Sequence, residues 1–179
     1  MHDGATSVYD QTQSLDSTPI TDWEEYFFAS QVLAGELIFE DLPRYLSATV
    51  TVTVAEASGS ASIGVVTLGT IHELGVTLAG ATAGITDYSR KSTDDFGTTT
   101  LTQRTFAKRS NQRLWIDSSE LRRVQTLLAS LRATPCVWVG EDDTDLFSPL
   151  VIFGWFRSFS LDISGPSISY CTLEIEGLT

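Results

Sequence analysis

The chain has 179 residues, is 42% apolar and carries a formal net charge of −12. This length predicts one domain, and the acidic balance argues against general binding to nucleic acid or to an anionic membrane, both of which want a basic field. No apolar run approaches the ~18 residues of a spanning helix, and the polar start MHDGATSVYDQTQSLDSTP predicts no secretory leader.

Residues 1–20, rich in Ser, Thr, Asp and Gln, predict a flexible or extended arm ahead of a single β-rich domain at 21–179. Trp23, Tyr26, Phe27, Phe28, Val32, Leu33, Leu37, Ile38 and Phe39 form an aromatic segment that fits an early strand or a short helix, closed by Pro43. Strict Thr/Val alternation over Thr49–Val54 predicts a strand, and Ser58-Gly59-Ser60 a turn. Ile63–Ile71 and Leu74–Leu78 read as two more strands. Asp94-Asp95-Phe96-Gly97 predicts a turn between polar strands, with Thr98–Lys108 alternating after it and Asn111–Ile116 a further short strand.

One amphipathic helix is predicted at about 118–132. Leu121, Val124, Leu127, Leu128 and Leu131 make its apolar stripe, Asp117 its N-cap, Glu120 the reciprocal capping partner, and Pro135 its stop. Strands follow at Cys136–Val139, Leu150–Leu161 and Ile168–Ile175. In the last, Cys171, Leu173 and Ile175 face one way and Tyr170, Thr172, Glu174 and Glu176 the other. The sum is a mainly β fold, an antiparallel β-sandwich with one helix over an apolar face.

Charge is segregated. Residues 1–41 hold nine carboxylates and no Lys or Arg, whereas residues 90–132 hold nine of the eleven Lys/Arg against four carboxylates, a net +5. The basic stretch has three readings: a solvated face, a subunit interface or a nucleic-acid patch. The acidic N-terminal segment favours the interface, built from Arg90, Lys91, Arg104, Lys108, Arg109 and Arg113 on one side and Asp10, Asp16, Asp22, Glu24 and Glu25 on the other.

Catalytic signals are weak. Asp95-Phe96-Gly97 lacks every other kinase element and reads as a turn. The Glu141-Asp142-Asp143-Thr144-Asp145 loop lacks the EF-hand register and reads as solvated. His2 and His72 are the only histidines, with no triad around them and no zinc spacing to Cys136 or Cys171. The cysteines sit in apolar runs and read as small buried hydrophobes, a disulfide between neighbouring strands being the other reading. Trp115, Trp138 and Trp155 also lie in apolar runs and predict core packing, whereas Trp23, next to the acidic arm, predicts exposure. No catalytic residue, metal set or cofactor is expected, and no enzyme activity.

The order of segments carries a resemblance. Ile85-Thr86-Asp87-Tyr88-Ser89-Arg90 precedes the Asp94–Gly97 turn, and Arg104-Thr105-Phe106-Ala107-Lys108-Arg109 leads into Leu114-Trp115-Ile116-Asp117. After the helix come Leu131–Pro135, Val137-Trp138-Val139-Gly140, Phe153-Gly154-Trp155-Phe156 and the ending Tyr170–Leu178. Over roughly residues 65–178 the chain resembles a family of small tail proteins of tailed bacteriophages and prophages. The resemblance implies a structural virion protein near the tail tip or baseplate, assembled in the host cytoplasm. It implies rings of three or six copies and contacts with neighbouring tail proteins, without nucleic-acid binding or membrane insertion. The alternative class is a carbohydrate-binding module at the tail tip, with Trp23 or Trp155 as the ligand-stacking aromatic. In the assembly reading the acidic arm wraps a neighbour's basic strand face. Deletion of residues 1–20 is then expected to abolish higher-order assembly, and wild-type sedimentation of the truncated chain would sink the arm exchange.

Overall fold

The computed structural model describes residues 1–3, 6–16, 20–30, 34–56, 59–141, 148–163 and 165–178. The chain divides into two compact units, Met1–Val66 and Thr67–Thr179. It is mainly β, with antiparallel sheets and a couple of helices, in agreement with the class expected from the sequence. Val32 and Leu33 of the aromatic segment, Ser58 of the expected turn and Asp142, Asp143, Thr144 and Asp145 of the acidic loop lie outside the described residues.

In the first unit, strands β1 (His2–Asp3) and β2 (Thr6–Ser7) pair antiparallel. His2 and Thr49 exchange backbone hydrogen bonds of 2.9 and 2.8 Å. The Tyr9 hydroxyl donates to the Asp41 carboxylate at 2.6 Å, which pushes the phenol up to about 12. The aromatic segment begins as a short helix, α1 (Trp23–Phe28), capped by Asp22, whose side chain accepts the Glu25 N–H at 2.8 Å. The Glu25 carboxylate in turn accepts the Thr21 N–H at 2.7 Å, and the Thr21 bonds hold it below its usual value.

Two strand expectations fail in the stretch that follows. Thr49–Val54 forms only the single bridge from Thr49 to His2, and Ile63–Ile71 forms no ladder. Alternation supplies a face to bury, but a strand also needs a partner for its N–H and C=O groups. Beyond that bridge neither segment has one among the described residues, and Val50, Val52, Ile63, Val65, Leu68 and Ile71 stay exposed.

The second unit holds strands β3 (Val76–Thr77), β4 (Thr82–Asp87), β5 (Arg90–Thr93), β6 (Thr99–Thr102) and β7 (Phe106–Asp117), helix α2 (Leu121–Ser130), and strands β8 (Cys136–Val139), β9 (Val151–Asp162) and β10 (Ile168–Gly177). Six of them form one antiparallel sheet in the order β3-β7-β10-β9-β8, with β4 also paired to β7. Asn111–Ile116 is therefore part of a twelve-residue strand. The expected Thr98–Lys108 strand is broken at residues 103–105, between β6 and β7.

Alternation decides the two faces of this sheet. Cys171, Leu173 and Ile175 of β10 point inward, with Leu114 and Ile116 of β7, Ile152 of β9 and Trp138 of β8. Val124 and Leu128 of α2 cover them, so the predicted stripe meets the predicted strand face. Each such aliphatic contributes about 1.5–3 kcal/mol by leaving water. Gly154 permits the tightest approach, since a Cβ there would stand 2.1 Å from the Glu176 carbonyl oxygen. Its own carbonyl accepts the Trp138 indole N–H at 3.2 Å. The buried polar side chains are partnered: Gln112 donates to Ser110 at 3.3 Å, and the Ser169 and Ser118 hydroxyls meet at 3.2 Å.

The helix starts later than expected. Asp117 is the last residue of β7, paired with Ile168, and its carboxylate accepts the Ser119 N–H at 2.8 Å in a turn. The Ser119 hydroxyl, donating to the same carboxylate at 2.7 Å, and then this N–H lower its pKa. Glu120 becomes the N-cap without a side-chain cap bond and instead pairs with Arg123. The capping box does not form, because strand pairing holds Asp117 one turn away from the helix. At the other end Ala133 turns left-handed (φ 56°) ahead of Pro135.

Ile175→Ala is expected to lower the unfolding free energy by about 2–5 kcal/mol. Val52→Thr, in the exposed segment, is expected to change it by less than about 0.5 kcal/mol. Urea titration followed by tryptophan fluorescence checks both.

Candidate functional site

Arg90, Lys91, Arg104, Lys108, Arg109 and Arg113 follow one ribbon and the strand β7 that continues it, whereas Arg122, Arg123 and Arg132 lie on or just after α2. The β4–β7 ladder runs from Thr82↔Asn111 to Asp87↔Phe106, passes through a Tyr88 N–H to Thr105 carbonyl bond of 3.3 Å, and continues in β5–β6 from Arg90↔Thr102 to Thr93↔Thr99. Asp94 closes the tip by accepting the Phe96 N–H at 3.0 Å and the Thr98 N–H at 2.7 Å, with Gly97 at φ 83°. This is the turn expected at Asp94–Gly97. Every residue from Asp87 to Thr105 is exposed, including Phe96 at the tip and Leu101. Arg90, Lys91 and Arg104 lie on this hairpin. A two-stranded ribbon has little stability of its own in water.

Arg109 and Arg113 continue the basic series on the outer face of β7, whereas Lys108 is half-buried. Across β10 and β9 that face mixes charge with aromatic surface. Arg109 and Trp155 both pair with Glu176, and Tyr170 pairs with Trp115. The Arg113 guanidinium sits 5.1 Å from the Tyr170 ring centroid. Glu176 accepts the Tyr88 hydroxyl at 3.1 Å and lies 3.8 Å from Arg157. Arg157 is the residue skipped where the β9–β10 register shifts, a bulge that re-aims its side chain.

The tryptophans split. Trp138 is buried as expected and Trp23 is exposed as expected, at 78%. Trp115 and Trp155 depart from the core expectation and are 37% and 36% exposed. Their runs are apolar on both faces, so the alternation that buries Leu114, Ile116 and Gly154 turns the indoles outward.

The acidic residues of the expected interface all lie in the first unit. Asp10, Asp16, Asp22 and Glu24 are exposed and Glu25 is half-buried. Asp22 and Glu25 also serve the start of α1. That helix has no buried residue, and its aromatic rings pack on one another instead: Trp23 and Phe27 are stacked at 6.4 Å, while Trp23–Tyr26 and Tyr26–Phe27 are edge-on at 6.1 and 5.1 Å. The sequence singled out Trp23 but not this cluster. Its signal was the apolar Trp23-Tyr26-Phe27-Phe28 spacing without the small residues of a core helix.

Reactive chemistry is sparse. Cys136 and Cys171 are free thiols. They lie on β8 and β10 with β9 between them, which at about 4.8 Å per strand puts them beyond disulfide reach. His72 is exposed. Among the described residues no group of three or more His, Cys, Asp or Glu could hold a metal ion. Comparison with protein-family models and with curated proteins finds no match.

Burial pushes the Cys171 thiol up to about 11, against an ordinary 9.0. The stability gained by keeping it neutral is intact below pH 9.0 and is lost as pH rises toward about 11, because the unfolded thiol ionises first. At pH 8 a thiol reagent is expected to label Cys171 only after denaturation and Cys136 slowly; fast native labelling of Cys171 would contradict its burial.

Proposed function

We propose that this chain is a structural component of a phage tail, at the tail tip or baseplate. It works by assembling with copies of itself into a three- or six-fold ring and by contacting neighbouring tail proteins. It is made and assembled in the host cytoplasm and resides in the virion.

The observation that carries the assembly part is surface area. The chain exposes 13523 Å². Two compact bodies of the sizes of its units would together expose about 10,000 Å². The surplus of about 3,000 Å² exceeds the roughly 800 Å² that one partner contributes to a standard interface. Among the described residues none before Ala107 is buried, so the large side chains of the first half lack a core of their own. Among them Trp23, Phe28, Leu46 and Leu68 leave large apolar side chains in water, the kind of surface that marks interaction sites. A ring copy needs two different interfaces, one on each side. The phage-tail part rests on the segment order from Ile85 to Leu178.

The half-exposed Trp155 and Trp115 favour a second reading, a carbohydrate-binding face contacting the host surface. Glycan-array binding by the wild type that disappears in Trp155→Ala would favour it over the structural reading.

Immunogold electron microscopy of particles from producing cells tests the first reading. Gold is expected at the distal end of tails. Unlabelled tails, with the protein detected free in the same lysate, would overturn it.

A further inference from the structure

The aromatic helix α1 and a hollow on the second unit match each other in chemistry. Trp23 and Phe28 are 78% and 83% exposed, and Tyr26 and Phe27 are exposed between them. Asp22, Glu24 and Glu25 make the same short segment acidic. Exposed rings held against one another on a capped turn are pre-organised, so little side-chain entropy remains to be lost on docking.

The hollow lies between α2 and β9. It is an open depression of about 240 Å³, lined by Leu128, Ala129 and Arg132 of the helix side and by Phe156, Arg157 and Phe159 of the strand. That is below the ~300 Å³ lower bound for small-molecule pockets, and suits a single large side chain. Its floor is apolar and its two charged lining residues are both guanidinium groups. Among the described residues Arg132 donates its Nε to the Ala129 carbonyl at 3.1 Å and Arg157 lies 3.8 Å from Glu176, contacts that leave further donors of each guanidinium for a partner. A second hollow, beside Ile85, Phe106 and Pro149, offers one cation, Lys108. The first hollow is thus the better match to an acidic aromatic segment.

We infer that the occupant is α1 of a second copy of this chain, with Trp23 or Phe27 seated between α2 and β9 and Glu24 facing Arg132. The inference rests on the assembly reading above and gives it a surface. Knob and socket are different patches, so a contact made one way only is heterologous and propagates from copy to copy into a ring or a filament, whereas reciprocal exchange closes a dimer. An aromatic anchor in a desolvated pocket with a charged rim is the usual organisation of the strong part of an interface.

The test is photo-cross-linking of the full chain with benzoylphenylalanine at position 27, in a mixture of isotopically light and heavy copies. Cross-links between copies to peptides containing residues 125–132 or 156–159 are expected. Cross-links to other surfaces of a second copy overturn the socket but leave assembly standing, and cross-links confined within one copy overturn the contact between copies. A chain that sediments as a monomer at every concentration overturns both the inference and self-assembly. Charge exchange supplies an independent check on folded variants verified by circular dichroism. Glu24→Arg and Arg132→Glu are each expected to weaken self-association on the order of tenfold, and the double variant to restore it. Failure of the double variant to recover, with both single variants weakened and folded, removes the Glu24–Arg132 pairing.

Discussion

The ladder of β7, β10 and β9 is the constraint on which the second unit depends. β10 pairs with β7 from Ile168↔Asp117 to Glu176↔Arg109, and with β9 along its other edge. Because a strand alternates, this pairing puts Cys171, Leu173 and Ile175 inward in one stroke and turns Tyr170, Thr172, Glu174 and Glu176 outward. The inward set is what the Val124–Leu128 side of α2 covers, and the outward set makes the mixed aromatic and charged face. Slipping the register by one residue would exchange the two and leave the helix without a surface to cover.

The same ladder explains why the hairpin and the groove exist. β4 and β7 continue past the sheet into β5 and β6, so the basic ribbon is an extension of a strand whose other end is clamped in the core. The groove follows from the bulge at Arg157. The register of β9 against β10 shifts by one residue there, and Phe156 and Phe159, on either side of the shift, line the hollow with Leu128. Both features therefore rest on core strands, a rigid base for the assembly proposed above.

The first unit follows a different physical logic. Its bonds are local turns and caps together with a few long-range pairs, such as His2 with Thr49 and Tyr9 with Asp41. These order the chain without burying it. Apolar area left in water contributes nothing to the stability of the free chain and is available to association instead. In the assembly proposed above, the Val-rich segment after Thr49 and the aromatic helix gain in the complex the burial that they lack alone.

Local pattern in the sequence determined the mainly β class, the strand at Ile168 with its two faces, the strand at Cys136–Val139, the apolar stripe of α2 and the turn at Asp94–Gly97. Each depends on neighbours a few residues away, through side-chain alternation, helical spacing or turn chemistry. The segregation of acidic and basic residues was equally plain, since charge can be counted. Only the tertiary structure decided whether Thr49–Val54 had a partner strand, that Asn111–Ile116 belonged to a longer one, that Asp117 ended a strand instead of capping a helix, and that Trp115 and Trp155 faced outward. Those outcomes turn on which backbone groups find distant partners and which face of a doubly apolar strand meets the helix. Both are fixed by pairing between residues far apart in the chain, and a local pattern carries no record of them.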